Sequence, residues 1–207
     1  MDALTVAVPT GRLFNDAIAL LRRLGLAESV PAERSLVLPG RDGVRLLVAK
    51  PLDIATYVEL GAADAGIAGK DVLLERSPDV YELVDLGFGA CRGVVALPSE
   101  ATGLWRPGLL LRIATKYPKV TARFFEAQRR PVELIELHGS VELAPRVGLA
   151  DGIMDLVMSG RTLRDNLLVE VAEVFRSSAR LIVNRASLRT KAARLRPLLD
   201  ALEAPAP

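Results

Sequence analysis

Strand-like and helix-like segments alternate along the whole of this 207-residue chain, and that alternation restricts its fold more than any other feature. "LTVAV" (4–8) has the composition of a buried strand, and the turn "PTGR" follows it. Leu13, Ala17, Leu20, Leu21 and Leu24 then recur at helical spacing until Gly25 stops the helix. "VRLLVA" (44–49) is a second strand and "DIATYVELG" a short helix; "DAGIAG" (64–69) is a strand that runs into the helical "KDVLLE". Further on, "GVVAL", "LRIAT" and "VELIEL" are strands, with the helix "KVTARFFEAQ" between the last two. "RLIVN" (180–184) is the final strand and "SLRTKAARLRPLLDALE" one final helix. Such an order predicts an α/β layer fold with a mostly parallel sheet, because helices that connect parallel strands come to cover its faces. The turn-rich "PSEATGLWRPG" (98–108) reads as an exposed hairpin or connection, and the terminal "APAP" as a frayed tail.

Composition narrows the function. Half of the residues are apolar but only 4% are aromatic, so the core is built from Leu, Val, Ala and Ile. Twenty-seven basic side chains nearly balance twenty-five acidic ones, and no basic tract is interleaved with aromatics, which argues against a nucleic-acid partner. Cys91 is the only cysteine and His138 the only histidine, so neither an intramolecular disulfide nor a Cys/His zinc site is available. Cys91 is expected to be a buried small hydrophobe, and His138 a packing or hydrogen-bonding residue rather than a general base. "MDALTVAVPTGR" has the pattern of neither a secretory signal nor a membrane span. The expectation is a cytoplasmic protein with no membrane association.

Two stretches resemble each other. "GAADAGIAGKD" begins at Gly61 and "GLADGIMDLVMSGRT" at Gly148; each has G-x-A-D, an apolar run, then Gly followed by a base. Either an internal duplication or the general taste of strand-to-helix turns for glycine accounts for this. In the second copy Asp151 and Asp155 lie four apart, so they share a face whether the segment is a strand or a helix. An ionised acid buried without partners costs several kcal/mol at least, so Asp155 is expected to face a cleft or a bound partner such as sugar hydroxyls. Ser159-Gly160-Arg161-Thr162 then supplies a tight turn with two hydroxyls, and "LRDNLL" is expected to open a helix whose N–H groups face an anion. Acids for a diol followed by a turn for a phosphate fit a ribose 5-phosphate. A strand, a turn and a capped helix with Asp155 satisfied internally would read the same way.

"GLADGIMDLVMSGRTLRDN" resembles the phosphoribosyl-diphosphate (PRPP) loop of the ATP phosphoribosyltransferases. "VAVPTGRL", "YVELGAADAGIAGKDVL", "DLGFGACR", "HGSVELAPRVGLAD" and "ARLIVNRASL" match that family in the same order. The resemblance implies two α/β domains of periplasmic-binding-protein-like architecture with an intervening cleft, the type IV phosphoribosyltransferase plan. Domain I would comprise 1–91 and 181–207, and domain II, carrying the PRPP loop, 92–180. It implies transfer of phosphoribosyl from PRPP to N1 of ATP with Mg²⁺ carried by the substrate, the first step of histidine biosynthesis. Asp151, Asp155, Ser159, Gly160, Arg161 and Thr162 would hold PRPP, with Asp155 and Glu142 the catalytic acids. Gly11, Arg12, Lys50 and Asp71 would meet nucleotide or pyrophosphate. The sequence departs from the family at Thr10, often Lys, at Ser159, commonly Thr, and at His138, usually Asn. Because no further domain follows the last helix, the resemblance is to the short form, a homodimer that assembles with a histidyl-tRNA-synthetase-like regulatory subunit into a hetero-octamer. The competing expectation is a non-catalytic two-domain small-molecule binding module, which shares the fold.

Overall fold

A computed structural model describes residues 3–27 and 36–203, and the "APAP" tail lies outside the described residues. Contacts divide the chain into two units, Met1–Gly89 with Ser178–Pro207, and Ala90–Ser177.

The first unit opens with β1 (Leu4–Pro9), a 3-10 turn (Gly11–Leu13) and α1 (Phe14–Arg23), followed by β2 (Val37–Pro39), β3 (Val44–Ala49) and α2 (Pro51–Glu59). Then come β4 (Ala65–Gly69), α3 (Lys70–Arg76) and β5 (Tyr81–Asp85). Its sheet has the order β2-β3-β1-β4-β11-β5, where β11 (Ala179–Val183) is the strand on which the chain returns. β1 runs parallel to β3 and β4, while β2 and β11 pair antiparallel with their neighbours. β1 is buried throughout. Its alternate side chains divide between two cores: Leu4, Val6 and Val8 join Ile18 and Leu21 of α1, and Ala7 joins Ile54 and Val58 of α2. Helices therefore cover both faces.

In the second unit the sheet order is β10-β6-β9-β7-β8. Its strands are β6 (Cys91–Pro98), β7 (Leu111–Thr115), β8 (Val132–Glu136), β9 (Gly152–Val157) and β10 (Leu168–Ser177), with α4 (Pro118–Ala127), α5 (Leu143–Arg146) and α6 (Arg161–Asp165) between them. β7 is parallel to β8 and β9; β6 and β10 run antiparallel. Ile153 and Val157 of β9 pack with Ala144 of α5 and Leu163 of α6.

Several expectations change. The sheets are mixed rather than mostly parallel: β6 and β11, which follow β5 and β10 with no helix between, pair antiparallel with both of their neighbours, and β2 pairs antiparallel with β3. The units divide a few residues before 91 and 181, for a reason visible in the pairing. Cys91 is held in the second sheet against Ser177, and Ala179 in the first against Gly69. The final helix is two, α7 (Arg185–Thr190) and α8 (Ala192–Glu203), and of the two readings of 98–108 the structure shows the connection, with a 3-10 turn at 99–104 between β6 and β7. Cys91 is buried, as its small apolar character suggested.

Candidate active site

The two G-x-A-D stretches occupy equivalent places. Asp64 stands just before β4 and Asp151 just before β9. The Thr5 N–H donates to Asp64 Oδ2 at 2.8 Å and the Arg112 N–H to Asp151 Oδ2 at 2.8 Å. In return the N–H of Asp64 donates to the Thr5 carbonyl and that of Asp151 to the Arg112 carbonyl, both at 2.8 Å. Each acid thus closes the N-terminal end of a parallel strand pair, β1/β4 in one unit and β7/β9 in the other. The repeat is architectural.

This separates the two acids expected to share a ribose. Asp151 lies at the start of β9 and Asp155 near its end, four residues on, or about 13 Å at strand rise. Arg112 Nη2 donates to Asp151 Oδ1 at 2.8 Å. That guanidinium, with the backbone bond, holds the carboxyl below its ordinary range despite partial burial. Asp151 is a structural ion pair at the opposite edge from the loop, and the expectation that it joins Asp155 in one pocket is corrected.

Asp155 has no acidic counterpart in the first unit, where the matching position is the fully buried Ala68. It shares a strand face with Ile153 and Val157, and all three line a pocket of about 220 Å³ completed by Ser159, Gly160, Arg161, Thr162 and Leu163. Gly160 sits at φ +72, the left-handed conformation that lets the chain reverse between β9 and α6. The turn is braced within the protein: Arg164 donates to the Ser159 carbonyl at 3.2 Å and Asn166 Nδ2 to the Thr162 carbonyl at 2.9 Å. Ser159 and Thr162 remain exposed. The helix begins at Arg161 rather than in "LRDNLL", and Leu168 already belongs to β10.

Lys116 was not anticipated. It follows β7 directly, and its Nζ lies 3.9 Å from Asp155 Oδ2. A signal existed: "LLVAK", "GIAGK" and "RIATK" each run an apolar strand straight into a lysine, at Lys50, Lys70 and Lys116. In α/β sheets ligands gather at the carboxyl ends of parallel strands, where these lysines stand. Lys70 is engaged by Glu82 at 2.6 Å.

The same rule collects the first unit's expected residues. Gly11 and Arg12 follow β1, Lys50 follows β3 and Asp71 follows β4, all at the C-terminal edge of the parallel strands. Gly11, Arg12 and Lys50 are exposed, whereas Asp71 is buried beside Arg12, 3.7 Å from its Nη2. In the second unit Glu142 stands at the N-cap position of α5 without a capping side-chain bond, and does not line the 220 Å³ pocket. His138, expected to pack or to hydrogen-bond, is exposed beyond β8. Among the described residues no three His, Cys, Asp or Glu side chains group as a metal site, and no helix is long and apolar enough to cross a membrane.

A family model described as HisG, ATP phosphoribosyltransferase, matches residues 50–204. An ATP phosphoribosyltransferase of Moorella thermoacetica is 51% identical over 98% of this chain and 92% of its own length. The chain belongs to the ATP phosphoribosyltransferase family. It is a pentosyltransferase of histidine biosynthesis that moves phosphoribosyl from PRPP to ATP. A solved ATP phosphoribosyltransferase (HisG:HisZ) complex from Thermotoga maritima superposes with a TM-score of 0.84 at 36% identity, covering 97% of this chain and 96% of that one. A substrate-binding protein of an amino acid ABC transporter gives 0.60 at 14% identity over 97% of this chain and 92% of that one, a likeness of fold alone. The non-catalytic module is therefore not favoured over an ATP phosphoribosyltransferase.

Proposed function

We propose that the 220 Å³ pocket of the second unit grips PRPP, with Asp155 at the ribose and the Ser159–Thr162 turn at the 5-phosphate. The observation that carries this reading is the opening of Asp155 onto the same cavity as the two exposed hydroxyls and the reversed backbone at Gly160. In the reaction the bond from ribose C1 to the diphosphate oxygen breaks as adenine N1 of ATP bonds to C1, and pyrophosphate leaves with the electron pair. Positive charge develops on the ribose, as in glycoside cleavage, and the Asp155 carboxyl group is placed to stabilise it. Negative charge grows on the leaving group, which Lys116 beside Asp155 is suited to meet; within the first unit, Arg12 and Lys50 at the carboxyl ends of β1 and β3 are suited to phosphate contacts. Adenine N1 is itself nucleophilic, so no Ser–His or Cys–His pair is needed, and positioning supplies much of the rate. Gly11 lets the backbone after β1 approach the nucleotide. Glu142, at the start of α5 and outside the lining of the pocket, is the second acid on the family resemblance alone.

Mg²⁺ fits this arrangement as a companion of the substrate. Magnesium is commonly held by one or two carboxylates together with substrate phosphates, and Asp155 is the carboxylate at hand. When bound, the ion would neutralise charge on the diphosphate. The short form working in the cytoplasm, as a homodimer within a hetero-octamer with a histidyl-tRNA-synthetase-like subunit, is the assembly we propose; that the similar protein from Thermotoga maritima was solved as a HisG:HisZ complex supports the presence of a second subunit.

The test is a direct assay of the purified chain with ATP, PRPP and Mg²⁺, with and without that subunit. N1-phosphoribosyl-ATP and pyrophosphate should appear in equal amounts. PRPP that binds and turns over unchanged in Asp155→Asn would remove the pocket from the mechanism.

A further inference from the structure

We infer that Asp71 is a positioning residue, which holds the Arg12 guanidinium at the carboxyl edge of the first sheet and does not itself touch substrate. This rests on the reading of Arg12 as a contact for substrate phosphate. Asp71 stands in the first turn of α3 with its side chain only 5% exposed. A carboxylate so enclosed offers no face to a ligand, and it would repel a diphosphate or triphosphate.

What it does face is Arg12. Asp71 Oδ1 lies 3.7 Å from Arg12 Nη2, while Arg12 Nη1 donates to the Gly89 carbonyl. The surroundings fix both partners. A Cβ at Gly69 would fall 2.2 Å from Asp71 Oδ1, so the carboxylate lies back over the residue that precedes its own helix. A Cβ at Gly89 would fall 2.1 Å from Leu13 Cδ2 and 3.2 Å from Arg12 Nη1, so residue 89 has room for its φ of +64 and its close approach only as glycine. Leu13 anchors the turn in the core. Three segments, after β1, after β4 and after β5, thus converge on one guanidinium. Two sides of the fork are taken, the side chain remains 26% exposed, and the other N–H groups are held ready. Ordering the side chain before substrate arrives removes that ordering cost from binding.

A double-mutant cycle on the full chain, in complex with its regulatory subunit, tests the fixture. Asp71→Asn should lower kcat/KM about tenfold through misplacement of the guanidinium, yet less than about twofold once Arg12→Gln is present. The wild-type chain gives a second readout that needs no variant. Its Arg12 guanidinium should show slow rotation about Nε–Cζ by ¹⁵N NMR, and fast rotation in Asp71→Asn. Losses that multiply independently, or a freely rotating Arg12 in the wild type, would overturn the inference alone. Wild-type kinetics in Arg12→Gln would overturn it too, and would locate the fault in the assignment of Arg12 as a substrate contact.

Discussion

The Asp151 carboxylate accepts from both the guanidinium and the backbone N–H of Arg112, each at 2.8 Å, and the pair closes the end of β9 remote from Asp155. A carboxylate in that position is a fastening for the sheet. Asp151→Asn should therefore cost about 1–2 kcal/mol of stability in thermal or urea unfolding and leave the KM for PRPP near the wild-type value. A large rise in that KM with unchanged stability would return Asp151 to the substrate.

Asp155 should behave in the opposite way. Asp155→Asn and Thr162→Val each remove a group from the pocket without touching the architectural bonds. Each should lower kcat/KM for PRPP by about 10²-fold or more while the melting temperature stays within a few degrees. Steady-state kinetics beside calorimetry separates the two effects.

Lys116 gives a third expectation. Its ammonium stands 3.9 Å from Asp155 at the end of the neighbouring strand. Lys116→Met should reduce kcat/KM about tenfold by withdrawing charge from the leaving diphosphate, and Lys116→Arg should restore part of it. Full activity in Lys116→Met would show that the lysine is only a surface charge.

Asp64 contributes to the pH dependence of stability. Burial alone would raise its pKa, but bonds from Lys191 at 2.8 Å, the Thr5 N–H and the Ser187 hydroxyl outweigh that and hold the carboxyl below its ordinary 3.8. A pKa lower in the folded state than in the unfolded one means that the stabilisation is complete above the unfolded value and fades as pH falls through the folded one. The wild type should thus lose stability below about pH 4, where the ordinary carboxylate value lies. Asp64→Asn should flatten that limb and cost about 3 kcal/mol at neutral pH, since it leaves Lys191 beside an uncharged partner. An unchanged acid limb would deny Asp64 this part.

Much of the order of strands and helices, the mainly aliphatic core and the loop at Ser159–Thr162 were legible from residues alone. Apolar periodicity is local, and a strand such as "LTVAV" shows it wherever the strand finally sits. The edge strands β2, β5 and β10 were not. β5 and β10 are half-exposed and charged, so Tyr81–Asp85 and Leu168–Ser177 lack the apolar run that marks a buried strand. The site was legible in its residue types but not in its partners. Asp151 and Asp155 look alike on a strand face, and only the sheet shows that one opposes Arg112 at its start and the other opens on the pocket near its end. Likewise Lys116 lies about forty residues from Asp155 in sequence and meets it because β7 and β9 are hydrogen-bonded neighbours. Sequence alone determined which side chains the protein has for holding a sugar phosphate, because residue type and local period suffice for that. Which carboxylate faces the ligand and which is neutralised by an arginine was decided by tertiary structure, because charge pairing depends on distances that only strand register sets.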